Sequence, residues 1–150
     1  MLRERFSDAL KQAMKEKDVL AVSTVRLVMA RLKEKDIEAR PKADQIDEPA
    51  IQQMLLQMIK QRRESIELYD RGNRPELAAK EKGEIAIIER FLPKQMSQAD
   101  MEKAIQETIA ATGAAGIKDM GRVMAALKEK YSGQLDPGQA SQAVKKLLSA

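Results

Sequence analysis

An all-α fold is expected: an N-terminal four-helix domain containing a long antiparallel helical hairpin, followed by a small three-helix C-terminal domain. Three observations lead there. Only 7 glycines and 5 prolines interrupt 150 residues. The chain is dominated by Ala, Leu, Lys, Glu, Gln and Met, residues that lose little on entering a helix. Apolar residues also recur at helical spacing between a few sharp breaks, and nothing favours a sheet. A chain of this length buries roughly two thirds of its unfolded surface, enough for a main core and a minor one.

The best specified stretch is 60–93, KQRRESIELYDRGNRPELAAKEKGEIAIIERFLP. Two helices fold back on each other about Gly72-Asn73-Arg74-Pro75. Gly72 is expected to take the left-handed conformation that ends the first arm, and Pro75 suits the first turn of the second, where its missing N–H has no partner. The first arm presents Ile51, Leu55, Met58, Ile66 and Tyr69, with Arg62 in the same stripe; the second presents Leu77, Ile85, Ile88 and Leu92, with Glu81 in its stripe. In so short a connection, facing residues sum to about 147. Arg62 and Arg63 then lie opposite Glu84, with Glu81 one turn away. An ion pair of Arg62 or Arg63 with Glu81 or Glu84 is expected, fixing register more than adding stability. A carboxylate pair engaged in acid or base chemistry is the alternative, disfavoured by the arginines available to neutralise it.

In chain order, Leu2, Phe6, Leu10 and Met14, with Ala9 and Ala13, form the stripe of a first helix ending near Lys17. A membrane-surface anchor fits it less well than core packing, because Glu4, Asp8 and Glu16 are mixed among its bases. Asp18 is the expected N-cap of a second helix running to Ala39, with Val22, Val25, Val28, Met29 and Leu32 inward and Pro41 as its stop. Asp47 caps the third. The domain boundary falls at Pro93, giving domains 1–93 and 94–150. Ser97 with Asp100 starts a fifth helix that buries Met101, Ile105, Thr108 and Ile109 and stops at Gly113. A sixth is expected from about Ile117 to Tyr131, and a seventh begins at Asp136-Pro137 and carries Ala140, Val144, Leu147 and Leu148.

Composition removes several function classes. There is no cysteine and no histidine, so disulfides, thiol catalysis, zinc-thiolate sites and the commonest general base are excluded. No metal site, cofactor or catalytic residue is expected. No signal peptide or membrane-spanning run is evident, which makes a cytoplasmic location the default.

The hairpin motif LYDRGNRPELAAKE, the FLP exit, the MGRVM segment and the GQLDPG turn occur here in the order in which the YqeY family has them. Over nearly its whole length the chain resembles that family, whose members look like freestanding relatives of the tail domain of the B subunit of glutamine-dependent aminoacyl-tRNA amidotransferases. The resemblance implies a helical module that holds tRNA, and an association with carbon-nitrogen ligases that use glutamine as amido donor. Catalysis in those assemblies belongs to other domains. This sequence contains neither an amidase Ser-Ser-Lys arrangement nor a phosphate loop of the GxxxxGK[ST] kind.

Charge supplies a separate indication. From Lys118 to the end there are 6 basic and 3 acidic residues, against 2 and 3 in 94–117. On the sixth helix, Met120, Val123, Met124, Leu127 and Tyr131 form the apolar face, while Lys118 and Arg122 project oppositely beside a small-residue flank of Gly121 and Ala125. These residues and the helix's first turn form a candidate RNA-phosphate site, extended by Lys128, Lys130, Lys145 and Lys146. The alternative is that such cations complement helix dipoles and keep a protein soluble, and that Gly121 serves only close packing of another helix. All four aromatics, Phe6, Tyr69, Phe91 and Tyr131, fall on core stripes, leaving little to stack unpaired bases. Three functions fit these residues: a tRNA-binding accessory module, an adaptor docking an amidotransferase or aminoacyl-tRNA synthetase, or an enzyme using Glu81, Glu84 and Arg62.

Overall fold

A computed structural model describes residues 1–149. They form seven α-helices and one 3-10 turn, with no strand among them. The chain divides into two compact units, one ending at Leu92 and the other beginning at Pro93.

The first unit holds α1 (Leu2–Glu16), α2 (Val19–Ala39), α3 (Glu48–Arg71) and α4 (Pro75–Glu89). Local chemistry sets most of these boundaries. Lys17 takes a left-handed conformation at φ 57° and ends α1, after which the Asp18 carboxylate accepts from the Ala21 N–H at 3.0 Å and starts α2. Arg40, held extended by the proline that follows, ends α2. Asp47 accepts from the Ala50 N–H and starts α3.

At the hairpin the structure corrects the expectation for Gly72. That residue sits at φ −84°, and Asn73 takes the left-handed conformation at φ 54°. Asparagine tolerates this region because its short polar side chain bonds locally. The glycine is needed for a different reason: a Cβ at position 72 would lie 3.3 Å from the Leu68 carbonyl oxygen. Pro75 opens α4 as expected.

Phe6, Val25, Val28, Ile51, Leu55 and Ile88 are the most deeply buried side chains of this unit's core. Met54, Ile59, Ala78 and Ile87 are buried too, although the expected stripes omit them. A wide packed face takes in residues on either side of a narrow periodic stripe. Conversely Met14, placed in the α1 stripe, is 53% exposed, and Val22, Met29, Ile85 and Leu92 only edge the core. Phe6 meets Phe91 edge-on with ring centroids 4.8 Å apart. Arg5 lies over the Phe91 ring at 5.6 Å and donates to the Arg90 carbonyl at 2.8 Å, joining α1 to the end of α4.

A second tie is absent from any sequence pattern. Arg3 donates two parallel bonds to Asp36, at 2.8 and 2.9 Å, and a third to the Ile46 carbonyl, while Asp36 accepts from the Ile46 N–H at 2.9 Å. One carboxylate thus fastens α1, α2 and the loop before α3. The bonds from Arg3 outweigh partial desolvation and lower the Asp36 pKa from 3.8 to about 2.

The second unit contains α5 (Gln98–Thr112), the 3-10 turn Ile117–Asp119, α6 (Met120–Lys130) and α7 (Pro137–Ser149). Ser97 accepts from the Asp100 N–H at 3.1 Å, and Gly113 ends α5 in the left-handed region at φ 68°. The sixth helix differs from the single element expected, because its first residues wind as the tighter 3-10 turn. Met101, Ala104, Ile105, Val123, Leu127, Leu135, Ala140 and Val144 are buried together as this unit's own core. Ile109, Met120, Met124, Tyr131, Leu147 and Leu148 pack at its margin.

Two predictions follow from the first unit. Because the folded-state pKa of Asp36 lies below its unfolded value, the pair's contribution is complete above the unfolded value and is lost as pH falls from about 4 towards 2. Asp36→Asn is expected to cost about 2 kcal/mol in urea unfolding at pH 7 and nearly nothing at pH 2; an equal cost at both values would refute the assignment. Thr24 is fully buried and its hydroxyl has no hydrogen-bond partner. Thr24→Val is therefore expected to raise the unfolding free energy by about 1 kcal/mol. A lowered midpoint would show that the hydroxyl is bonded.

Candidate functional site

Lys118 on the 3-10 turn, Gly121, Arg122, Lys128 and Lys130 on α6, and Lys145 and Lys146 on α7 are all exposed. The last turn of α6 carries Lys128 and Lys130, where cations complement the helix dipole. Lys130 also lies 5.5 Å above the Tyr131 ring. A Cβ at Gly121 would meet nothing within 4 Å. The glycine therefore serves no packing contact in its own unit, which goes against the alternative that it serves only helix packing.

The start of α6 departs from the simple anion site. Asp119 accepts from the Ala115 N–H at 3.0 Å, and Arg122 lies 3.2 Å from the same carboxylate. The protein's own acid thus ties back the loop before the 3-10 turn and engages one of the two cations nearest it, while making no cap bond to the first turn of α6. The Ala115 bond first, then Arg122, the Gly116 N–H and Lys118, lower the Asp119 pKa against some desolvation. The sequence reading passed over this residue. Its signal was local: an Asp three residues before an Arg, just after a Gly-containing turn. Among the described residues Lys118, Lys128, Lys130, Lys145 and Lys146 have no ion pair.

The hairpin carboxylates are arranged differently. Arg62 Nε donates to Glu84 at 2.8 Å and lies 3.9 Å from Glu81, and its Nη1 donates to the Met58 carbonyl at 3.2 Å. Glu84 is buried at 6% exposure. The pairing expected for Arg63 is corrected: this side chain turns outward and reaches Glu89 at 3.6 Å, with both groups about half exposed. A step of one residue rotates a helical side chain by about 100°, so adjacent arginines cannot share one partner face. Desolvation, then the neighbouring charge of Glu84, raise the Glu81 pKa, opposed by Arg62 and Lys80. Neither Glu81 nor Glu84 lines the cavity of about 320 Å³ between α1, α2 and α4, whose floor includes Ala13, Ala21, Val25 and Phe91. No group of three or more acidic residues among the described residues is placed to hold a metal ion.

A family model described as Yqey-like protein matches residues 3–148. Among curated proteins, the chain is similar to "Altered inheritance of mitochondria protein 41, mitochondrial" of Lachancea thermotolerans, at 39% identity over 83 residues, 55% of this chain and 43% of that protein. Its namesake in Vanderwaltozyma polyspora is 32% identical over 117 residues, 74% of this chain and 62% of the relative. In Saccharomyces cerevisiae strain YJM789 the figures are 30% over 104 residues, 68% and 55%. The matched regions thus span between 43% and 62% of these relatives' lengths.

The hairpin pair yields its own test. Arg62→Met leaves Glu84 buried without its counter-charge and is expected to cost about 3 kcal/mol in urea unfolding, while Arg62→Met with Glu84→Met recovers most of the loss. A single variant as stable as the parent would rule out a buried, coupled pair.

Proposed function

This chain belongs to the YqeY-like protein family, and we propose that it is a non-catalytic helical module that holds tRNA, acting beside a glutamine-dependent tRNA amidotransferase or an aminoacyl-tRNA synthetase. The observation that carries this reading is the set of exposed cations Lys118, Lys128, Lys130, Lys145 and Lys146 on the second unit, unpaired among the described residues. Unpaired exposed ammonium groups exchange condensed counterions for phosphates at little cost, and that exchange supplies most of the affinity for a nucleic-acid backbone. Arg122 joins them when it exchanges Asp119 for a phosphate.

The mode of recognition follows from what is spent elsewhere. Phe6 and Phe91 are buried, and Tyr69 and Tyr131 are half-buried, so the module has no aromatic platform for splayed bases. Backbone and shape carry the affinity, as expected for a folded RNA. Amide transfer and its ATP-dependent activation belong, in this reading, to the partner. The location proposed is an aqueous one, the cytoplasm in the simplest case. The relatives bear a mitochondrial name, and no helix among the described residues is long and apolar enough to cross a membrane.

A protein adaptor that binds no RNA is the second reading. It is favoured by Leu27 and Ile37, which are 47% and 54% exposed on α2. Recovery of a stoichiometric protein partner after nuclease treatment would select it.

Binding of tRNA measured across a salt series decides the matter. With about four phosphate contacts, affinity is expected to fall about a hundredfold between 50 and 200 mM salt. Joint reversal of Lys118, Arg122, Lys145 and Lys146 to Glu is expected to abolish binding. Asp119→Asn, which frees Arg122, is expected to tighten it severalfold and steepen the salt dependence by about one contact. Equal binding by the parent and the fourfold variant, or by neither, ends the proposal.

A further inference from the structure

Between α5 and α7 the second unit has a groove of about 540 Å³, large enough for a single nucleotide. Its floor is apolar: Met101 is 5% exposed, and Ala143 and Leu147 are half-buried. Five polar side chains edge it, Gln98 and Glu102 from α5 and Gln139, Gln142 and Lys146 from α7. Spacings of four on α5, and of three and four on α7, set each group along one helix face. None of the five side chains hydrogen-bonds or ion-pairs within the protein among the described residues, although neighbours such as Ser97 and Asp136 are occupied in capping.

We propose that this groove receives one unstacked nucleotide of the bound RNA, with Lys146 on a phosphate, the glutamine amides and Glu102 on the edge of the base, and the base plane against Met101 and Leu147. The inference rests on the RNA reading above and adds a base-dependent contact to it. Each amide offers two donors and an acceptor, the set that matches the mixed edge of a nucleobase. A carboxylate only accepts, so Glu102 requires an N–H on the base. Every base offers one, an exocyclic amino group on adenine, cytosine and guanine and the N3–H on uracil, whose flanking carbonyls can accept from the glutamine amides. A thioether and a leucine replace the missing aromatic platform, which gives a weaker but still dry seat for the base. The footprint is therefore divided: lysines along α6 and α7 hold the backbone without regard to sequence, and this one groove adds a contact that requires a base.

The test compares equal-length oligo(C), oligo(U) and an abasic oligomer with the same sugar-phosphate backbone, using the full chain. Oligo(C) and oligo(U) are each expected to bind about fivefold more tightly than the abasic oligomer. Glu102→Gln and Gln142→Ala are each expected to bring oligo(C) down towards the abasic level, while leaving abasic binding and helix content by circular dichroism unchanged. Joint reversal of Lys118 and Arg122 to Glu is expected to weaken all three oligomers by the same factor. RNA binding that does not depend on the base, or a base preference untouched by the groove variants, overturns the nucleotide seat and leaves the tRNA reading standing. Groove variants that spare RNA binding but abolish capture of a nuclease-resistant protein partner overturn it in favour of a peptide site. No binding of any oligomer or of tRNA overturns both readings together.

Discussion

Glu84 carries a charge into the interior of a helical hairpin, and the packing of the first unit depends on how that charge is met. Removing a carboxylate from water costs several kcal/mol unless an opposite charge and well-directed donors replace the solvent. Arg62 supplies both, with Nε 2.8 Å from Glu84 and Nη1 on the Met58 carbonyl. The contact favours the register of α3 against α4 that sets Arg62 beside Glu84. It leaves the apolar groups on either side, Met58 and Ile59 on one arm and Ile87 and Ile88 on the other, buried in the same core. The turn reinforces that register from the other end: Gly72 tolerates the nearby Leu68 carbonyl, and Asn73 takes up the left-handed residue.

The same arrangement bears on chemistry. A carboxylate that serves as acid or base needs access to a substrate and a proton affinity suited to transfer. Glu84 has its charge neutralised at close range and is buried. Glu81, with its pKa raised, shares the same arginine at 3.9 Å. Arg62 thus serves two acids with one guanidinium, a structural economy that accounts for both glutamates without recourse to a reaction. Arg3 does comparable work for Asp36 at the opposite end of the unit, where a bidentate pair and a backbone contact fix the entry to α3.

The second unit has the opposite character: its charges face solvent and remain available. Asp136 is spent on the Gly138 N–H, and the one ion pair of this unit among the described residues, Arg122 with Asp119, joins positions three residues apart, a kind worth little in water. In the proposed tRNA reading, a phosphate reaching Arg122 would compete with the Asp119 carboxylate. The proposed nucleotide seat is the glutamine-edged groove between α5 and α7.

Much of this was legible in residue order because it is decided within a few residues. Asp18, Asp47 and Ser97 cap helices, Gly113 and Pro75 end and begin them, and the 3.6-residue period marks each inward face. The Arg62–Glu84 contact was also accessible, since a short turn fixes the sum of facing positions. What lay beyond reach depends on distance along the chain or on small rotations. Arg3 and Asp36 stand 33 residues apart with no pattern linking them. Arg63 differs from Arg62 by one position and so reaches Glu89 instead. The burial of Met54, Ile59 and Ile87 depends on how wide a face the neighbouring helix covers. Sequence by itself determined that this protein is helical, where most helices begin and end, and that its positive charge gathers late in the chain, because backbone propensity, capping and composition act locally. Only tertiary structure decided which charges are neutralised between helices and that three glutamines line one groove, because those outcomes depend on which helix faces meet.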